Sequence, residues 1–351
     1  MSIYKLLPLI LLFSLSCSSK DCLDDQIEKI FSEFNNDTPG ASVAVVKHGK
    51  VIYQQRFGLA DIQSKERIKP ETNFRLASIT KQFTAFSIML LEDQNKLSFD
   101  DPVEKFFPNF PVNKSETTIK NILQHTSGIL AYEDYMPDTL TIQLKDKDVL
   151  QILLNQDSVY FSPGTEHRYS NSGYAILALI IEQVSGQTFA EFLSDHIFIP
   201  LEMKNSVAFE KGISKVSNRA YGYEKTDSGF IFSDQSLTSA VLGDGGIYSS
   251  TIDLIKWDRS IDESTLLPED KLSIAFEKTK LPNGELADYG LGWRLDPYRD
   301  YVRHYHTGST SGFSNIYMKL PEIDLTIILL MNLKDYDAKD YAEKIADLFI
   351  Q

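Results

Sequence analysis

The sequence predicts a mixed α/β fold of the α+β type. One antiparallel β-sheet is expected from the two ends of the chain, flanked by helices, with a mainly helical subdomain inserted between the ends. Two observations lead to this prediction: β-rich runs occur near both ends, and the middle of the chain carries apolar residues at helical spacing. Strands at both ends around a helical middle are expected to meet in one sheet that other layers cover.

The N-terminal part is predicted to form a helix and then a hairpin. Apolar residues recur at helical spacing from Leu23 to Phe34, and Gly40 releases the chain into strands. Two β-rich runs, 41–46 and 51–57, flank a four-residue turn that contains Gly49, which is typical of a hairpin.

The middle and the end of the chain carry the remaining predicted elements. Middle helices are predicted at 81–91, 119–124, 149–155 and 174–184. Strands are predicted at 303–306, 313–318 and 325–331, before a last helix with Tyr341, Ile345, Leu348 and Phe349 on one face. We expect a sheet subdomain of about residues 22–75 plus 285–351, a helical subdomain of about residues 76–284, and a ligand site between them.

Length and charge restrict the classes of protein. The chain has 351 residues, 42% of them hydrophobic, which is enough for a substantial core. Its formal net charge of -14 comes from 49 acidic against 35 basic side chains. Such a chain repels phosphate backbones, so we expect no nucleic-acid partner.

The N-terminus predicts export. Lys5 precedes the apolar run from Leu6 to Leu15, which is too short to span a bilayer, so residues 1–16 are predicted to be a signal peptide. Cys17 follows a small and apolar run that resembles the bacterial lipobox, which implies a lipid-modified Cys17 and residues 17–351 as the mature chain, anchored in the periplasm or at the outer membrane. The alternatives are ordinary cleavage near residue 20 or a disulfide between Cys17 and Cys22.

A serine and a lysine at the start of a predicted helix are the first candidate catalytic residues. In Ser78-Ile79-Thr80-Lys81 the two side chains lie one helical turn apart, so they share one face near the helix N-terminus. A serine hydroxyl is a poor nucleophile and needs a nearby base or proton acceptor, which lysine can supply or organise. By itself the spacing is weak, because Ser2 and Lys5 have it too.

Two further motifs follow in the chain. Tyr169-Ser170-Asn171 lies on a loop after Pro163-Gly164 and before a predicted helix. His306-Thr307-Gly308-Ser309 ends a β-rich run, where the glycine would let a ligand approach the strand edge closely. His304 lies on the same strand face as His306, but no acidic or cysteine cluster accompanies them, so no metal site is predicted.

In this order, Ser78-x-x-Lys81, Tyr169-x-Asn171 and His306-Thr307-Gly308 resemble the three active-site motifs of serine β-lactamases and penicillin-binding proteins. The tyrosine resembles the class C branch, and the histidine resembles DD-carboxypeptidases and D-aminopeptidases of that branch. Family landmarks also occur in order, at 124–129, 243–249 and 289–293. The resemblance covers nearly the whole mature chain.

The resemblance implies an exported serine hydrolase without a cofactor that forms an acyl-enzyme on an amide, peptide or ester substrate. Ser78 would be the nucleophile and Lys81 and Tyr169 its activators. The backbone amides of Ser78 and Ser309 would form the oxyanion hole. Asn171 would hold the amide of the substrate, and His306, with Thr307 and Gly308 beside it, would orient the tail or carboxylate of the substrate.

Three alternatives stay open at this point: a true class C-like β-lactamase, a non-catalytic module that binds peptidoglycan fragments or senses penicillin, and a metal-dependent amidohydrolase.

Other sequence patterns give weaker evidence of a functional site. His125 is expected to shape a turn, and the Gly308–Gly312 run resembles a nucleophile elbow but has threonine at the central position. The acidic pairs Glu92-Asp93 and Asp100-Asp101 are expected to be solvated or capping groups.

Overall fold

A computed structural model describes residues 19–110, 117–334 and 336–350. The strands of its largest sheet are β1 Ala41–Lys47, β2 Lys50–Phe57, β12 His304–Thr310, β13 Phe313–Leu320 and β14 Leu325–Met331. All neighbours in this sheet are antiparallel, in the order β12-β13-β14-β1-β2. The first two strands and the last three strands of the chain therefore lie side by side, which confirms the predicted fold class.

Ten α-helices lie within the described residues. They are α1 Ser19–Ile30, α2 Thr80–Asp93, α3 Ile119–Leu123, α4 Asp146–Leu154, α5 Asn171–Ser185, α6 Phe189–Leu193, α7 Leu242–Gly245, α8 Thr251–Asp262, α9 Glu269–Leu272 and α10 Ala338–Ala346. The first predicted helix ends earlier than expected, at Ile30, and the last helix ends at Ala346, before Leu348 and Phe349, which were predicted to lie on one of its faces.

Short strands that the sequence did not predict occur outside the five-stranded sheet, several of them within the mainly helical middle of the chain. They are β3 Leu59–Asp61, β4 Glu66–Arg67, β5 Phe74–Arg75, β6 Val207–Ala208, β7 Tyr223–Thr226, β8 Gly229–Phe232, β9 Ile247–Ser249, β10 Thr279–Lys280 and β11 Leu286–Ala287. Strands β5, β9 and β6 form one small sheet. Strands of two or three residues are too short to show an alternating pattern in sequence.

Two apolar cores hold these layers together. The larger core surrounds α2 and α5, whose side chains are buried almost all round. The second core lies between the outer face of the five-stranded sheet and the terminal helices α1 and α10, with Phe31, Ile327 and Ile345 fully buried. The five-stranded sheet thus has a core on each face.

No single helix in the described part of the chain is long and apolar enough to cross a bilayer. Helix α5 and the 189–198 segment have the length and composition for a span only when they are taken together, and the chain bends by 79° between them. The predicted signal peptide and Cys17 lie outside the described residues.

Candidate active site

Ser78 lies on a short 3-10 turn, Ala77–Ile79, that leads directly into α2. Ala77 has a positive φ of 51°, a conformation that costs energy for a residue with a Cβ and that is found at functional sites more often than elsewhere. The Ser78 side chain is part-exposed although its neighbours are buried. The turn therefore presents one hydroxyl to solvent at the start of a buried helix, where the N–H groups of the first turn have no helical partner.

Lys81 is fully buried one turn later, and its ammonium group is held at three points. Its Nζ donates to Ser78 Oγ at 3.3 Å, to Asn171 Oδ1 at 2.9 Å and to the Asp244 backbone oxygen at 2.8 Å. A lysine ammonium has three donors, and these bonds use all of them. The structure thus brings together the first two predicted motifs.

Tyr169 lies beside Lys81 on the loop that enters α5. The Lys81 Nζ is 5.0 Å from the centre of the Tyr169 ring, and the Tyr169 hydroxyl is buried without a hydrogen-bond partner among the described residues. Ser170, rather than Asn171, caps α5, because its side chain accepts from the Gly173 amide. The Asn171 side chain can therefore face Lys81.

His125 holds this loop in place. Its backbone has a positive φ of 57°, its Nδ1 accepts a hydrogen bond from the Ser170 amide at 3.2 Å, and its backbone oxygen accepts from the Arg168 amide at 2.9 Å. Burial lowers the pKa of the His125 imidazole well below its usual range, and the Lys81 charge lowers it further. A neutral, fully buried histidine with these contacts has the structural role that the sequence predicted.

The third predicted motif lies on β12, an edge strand of the five-stranded sheet, which packs against the Ser78 turn. A Cβ at Gly308 would lie 2.0 Å from the Leu76 backbone oxygen, so only glycine fits there. The sequence suggested that this glycine admits a ligand, whereas in the structure the space is filled by the turn that bears Ser78. Ser309, the next residue, is exposed at the cleft beside Ser78.

His306 on the same strand is 1% exposed, and both ring nitrogens are bonded within the protein. Nδ1 lies 2.6 Å from the Thr307 backbone oxygen, which can only accept, so Nδ1 carries the hydrogen. Nε2 therefore accepts from the Tyr289 hydroxyl at 3.1 Å. Burial lowers the pKa of His306 well below its usual range, and Arg294 and Lys81 lower it further. In this arrangement no ring nitrogen of His306 is free for a ligand.

A cleft of about 110 Å³ opens beside Ser78. Its walls are mostly polar and come from Arg75, Ala77, Ser78, Tyr132, Glu133, Asn171, Thr238, Asp244, Gly245, Ser309 and Thr310. Four of the predicted site residues thus lie on or directly behind one small polar cleft: Ser78, Asn171 and Ser309 on its surface, and Lys81 behind Ser78.

Several residues of the site were not identified from the sequence. Asp244 and Tyr289 lie within recognised landmarks, which was a usable signal, and Arg294 follows directly after the landmark 289–293. The Arg294 guanidinium lies 5.1 Å from the centre of the Tyr169 ring, which makes it a fixed cation at the site. No motif in the sequence marks Glu133, because only the folded chain brings this residue to the cleft.

The other sequence patterns considered as candidate sites lie in turns, ring stacks or ion pairs of the fold. The Gly308–Gly312 run forms the end of β12 and the turn into β13, not a strand-to-helix elbow, as expected. The His304 ring stacks on Phe276 at 4.4 Å. Asp101 pairs with Lys105, and Glu92 pairs with Lys271. Within the described ranges, no three His, Cys, Asp or Glu side chains form a possible metal site.

Comparison with known proteins identifies the family. A family model described as Beta-lactamase matches residues 27–349. Penicillin-binding protein 4* of Bacillus subtilis (strain 168) is 31% identical over 84% of this chain and 68% of its own length, and Protein flp of Staphylococcus aureus (strain MW2) is 30% identical over 88% and 62%. The chain thus spans about two thirds of the length of these relatives.

The fold comparison agrees with the sequence comparison. The octameric penicillin-binding protein homologue from Pyrococcus abyssi superposes with a TM-score of 0.81 and 28% identity, covering 93% of this chain and 76% of the homologue. The resemblance that the three motifs predicted is therefore confirmed. This chain belongs to the β-lactamase family, the serine hydrolases that include the penicillin-binding proteins.

Proposed function

We propose that this chain forms an acyl-enzyme on Ser78 with amide, peptide or ester substrates and then hydrolyses it. The observation that carries the proposal is the buried Lys81 ammonium, which joins Ser78 Oγ to Asn171 and lies beside the Tyr169 ring. A serine with an activating side chain within hydrogen-bond reach is the arrangement that nucleophilic catalysis requires.

In the proposed reaction, Ser78 Oγ attacks the substrate carbonyl carbon and forms the acyl C–O bond. All three Lys81 hydrogens have acceptors, and the Tyr169 ring centre lies 5.0 Å from Lys81 Nζ, so in this proposal Tyr169 and Lys81 together relay the Ser78 proton. The proton passes to the leaving nitrogen or oxygen as its bond to the acyl carbon breaks. Water then attacks the acyl carbon, its oxygen stays on the released acid, and its proton passes to Ser78 Oγ as the acyl C–O bond to Ser78 breaks.

The oxyanion of the tetrahedral intermediate would be held by two backbone N–H groups. Ser78 is at the helix start, where N–H groups are free of helical partners, and Ser309 is on the edge strand at the same cleft. Removal of one oxyanion donor costs about 100-fold to 1,000-fold in rate in a serine hydrolase.

The Ser78→Ala variant tests the proposal. We expect it to lose covalent labelling by a fluorescent penicillin or a fluorophosphonate, as well as turnover, while its thermal midpoint stays within a few degrees of wild type, because a part-exposed hydroxyl contributes little to folding. The exposed Ser228→Ala variant is the matched control and should be labelled like wild type. Labelling that persists in Ser78→Ala would assign the nucleophile to another residue.

The same labelling experiment separates the proposal from a non-catalytic module. A protein that only binds peptidoglycan fragments or senses penicillin without covalent chemistry would leave wild-type Ser78 unlabelled by both reagents. A metal-dependent amidohydrolase would lose activity in EDTA, whereas acyl-enzyme formation on Ser78 should be insensitive to EDTA.

We further propose that the protein is exported and anchored through a lipid on Cys17, as its first residues suggest. The Cys17→Ala variant should then leave the membrane fraction, because a lipid chain is the anchor that the sequence predicts. Cys22→Ala is the matched control and should stay with the membrane. A Cys17→Ala protein that remains membrane-bound after loss of its signal peptide contradicts the anchor, and an equal effect of both variants favours a disulfide.

A further inference from the structure

Asp146 is a buried carboxylate that has no part in the reaction as proposed so far. It is the first residue of α4, and it is only 8% exposed. Burial raises the pKa of Asp146 to about 7, against the backbone amides of Leu242 and Gly243, which lower it. Removal of a carboxylate from water is costly unless the group is hydrogen-bonded, so the partners of Asp146 show what it does in the fold.

Both carboxylate oxygens of Asp146 accept hydrogen bonds from the start of α7. Oδ2 accepts from the Leu242 amide at 2.9 Å, and Oδ1 accepts from the Gly243 amide at 2.9 Å. Val241, the N-cap residue of α7, provides no side-chain hydrogen bond to this helix. Asp146 therefore caps the N-terminus of α7, although it lies 96 residues before Leu242 in the chain.

The backbone oxygens of the same helix contact α2. The Asp244 oxygen accepts from Lys81 Nζ at 2.8 Å, and the Gly243 oxygen accepts from Thr84 Oγ1 at 2.7 Å. Consecutive peptide groups of α7 thus bind Asp146 on one side and α2 on the other. A shift of α7 would displace the Asp244 oxygen, which is one of the three acceptors that hold the Lys81 ammonium.

Helix α7 is too short to keep its position without such contacts. It has four residues, Leu242–Gly245, and two of them are glycine. A single helical turn is unfavourable in isolation, and glycine is a poor helix former. A Cβ at Gly243 would lie 2.3 Å from the Tyr174 backbone oxygen, so α7 also packs closely against α5. The position of the Asp244 oxygen therefore depends on the elements around α7.

We propose that Asp146 is a positioning residue for acylation, which acts through α7 on the Lys81 ammonium. The inference rests on the proposed acyl-enzyme chemistry at Ser78 and adds a residue that does not line the cleft beside Ser78. Asp146 borders a separate groove of about 510 Å³, together with Ala240 and Leu242. It therefore contacts no substrate in the cleft, and its effect on the reaction passes through Lys81.

The test measures the second-order rate constant for covalent labelling of Ser78 by a fluorophosphonate. In Asp146→Asn one side-chain oxygen still accepts an amide hydrogen, but the new NH₂ group faces the second amide, so two donors meet. We expect α7 to shift and the labelling rate to fall by about tenfold to a hundredfold, because displacements near 1 Å have effects of this size on positioned groups.

Asp148→Asn is the matched control, because Asp148 caps the same helix as Asp146. Its Oδ2 accepts from the Lys145 amide at 2.8 Å, and none of its hydrogen bonds within the described residues reaches α7. Both variants weaken the start of α4, so both should lower the thermal midpoint by a few degrees. Only Asp146→Asn should slow labelling, and the ratio of the two rates separates positioning from a general loss of stability.

A second measurement repeats the comparison without the Lys81 amine. Lys81→Ala should be labelled about 100-fold to 10,000-fold more slowly than wild type, so long incubations are used. If Asp146 acts through Lys81, adding Asp146→Asn to Lys81→Ala should change the rate by less than about twofold, since coupled residues are not additive. A merely structural role would lower the rate by the same factor in both backgrounds. If Lys81→Ala shows no labelling, the comparison with Asp148→Asn decides.

Asp146→Ser is the second variant, for the case that Asp146→Asn does not fold. Serine keeps one hydroxyl acceptor, which is common at helix N-termini, and it loses the second oxygen without placing a donor against an amide. Its labelling rate should be about tenfold below wild type. A wild-type rate in folded Asp146→Ser would contradict the positioning role.

The outcomes separate the positioning role from the chemistry. Equal rates in Asp146→Asn and Asp148→Asn, or an equal loss with and without Lys81, overturn the positioning role while the acyl-enzyme proposal stands. Wild-type protein that no reagent labels at Ser78 overturns the acyl-enzyme proposal and this inference with it. Slow labelling that is confined to Asp146 variants and disappears without Lys81 supports the inference.

Discussion

His306 is a neutral side chain whose two nitrogens already have partners. Thr307 accepts from Nδ1, and Tyr289 donates to Nε2. Burial raises the pKa of the Tyr289 hydroxyl well above its usual range, so this group remains a donor at every pH of interest. The pair therefore fixes one tautomer of His306, and the ring supplies no positive charge at the position that the sequence predicted to orient the carboxylate of the substrate.

This residue leads to a prediction about substrates. Without a cation at position 306, wild-type protein should hydrolyse nitrocefin with a lower kcat/KM than a D-alanyl peptide or a nitrophenyl ester at neutral pH, with penicillin acting mainly as a slow acylating ligand. The measurement is steady-state kinetics with all three substrates on one preparation. Nitrocefin hydrolysis near the diffusional range of about 10⁸ M⁻¹s⁻¹ would instead make this a true β-lactamase and would point to Arg294 as the carboxylate anchor.

At the scale of elements, the site depends on how closely two strands hold the Ser78 turn. The Leu76 amide donates to the Ile247 backbone oxygen on β9 at 2.8 Å, and Gly308 on β12 lies against the Leu76 oxygen from the other side. Asn315 on β13 also donates to the Arg75 backbone oxygen at 2.8 Å. The turn is thus fixed between the small sheet and the large one.

Gly308→Ala should disturb this arrangement. The added Cβ would meet the Leu76 oxygen at 2.0 Å, so β12 must move away from the turn. We expect a loss of about 1–3 kcal/mol in stability, the usual cost of overpacking, and about a hundredfold loss of kcat/KM, because displacements near 1 Å have that effect on positioned groups. Chemical denaturation and steady-state kinetics measure the two effects.

Gly49→Ala is the control for this prediction. Gly49 has a φ of 66°, and no described atom lies within 4 Å of the position that a Cβ would take, so alanine there meets only backbone strain. It should lower stability by about 1–2 kcal/mol, the cost of a left-handed backbone for a residue with a Cβ, and leave kcat/KM unchanged. Full activity of Gly308→Ala would show that the close packing of β12 does not position Ser78.

The strands differ in how well they could be predicted from the sequence. β14 was predicted with the bounds that it has, 325–331, because a long apolar run is a strong signal. The small sheet of β5, β6 and β9 was missed, because its strands have only two or three residues. The motif residues were recognisable by spacing, whereas Glu133 reaches the cleft only through tertiary contacts that a single sequence does not encode locally.

At the scale of the whole molecule, the fold places several charged side chains close together at the cleft, and this arrangement costs stability. Asp244 is surrounded by Lys81, Arg75, Glu133 and Asp146, and the net effect of burial and these charges is a raised pKa. A carboxyl with a raised pKa binds its proton more tightly in the folded than in the unfolded state. Its contribution to stability is therefore complete below the unfolded pKa of 3.8 and declines as the pH rises through about 6.

The last prediction follows from this sign. At pH 8 the ionised Asp244 should lower the free energy of unfolding by up to about 3 kcal/mol, since each pKa unit corresponds to about 1.36 kcal/mol. Asp244→Asn has no such ionisation, so its thermal midpoint relative to wild type should rise by several degrees between pH 4.5 and pH 8. Asp146, whose burial raises its pKa to about 7, titrates in both proteins and largely cancels in the difference.

Thermal scans across this pH range measure the difference in midpoint between Asp244→Asn and wild type. Glu104→Gln, at an exposed residue, is the control and should track wild type. If the difference in midpoint stays constant with pH, ionised Asp244 does not destabilise the fold. If the midpoint of Asp244→Asn falls relative to wild type toward pH 8, the charge of Asp244 stabilises the fold.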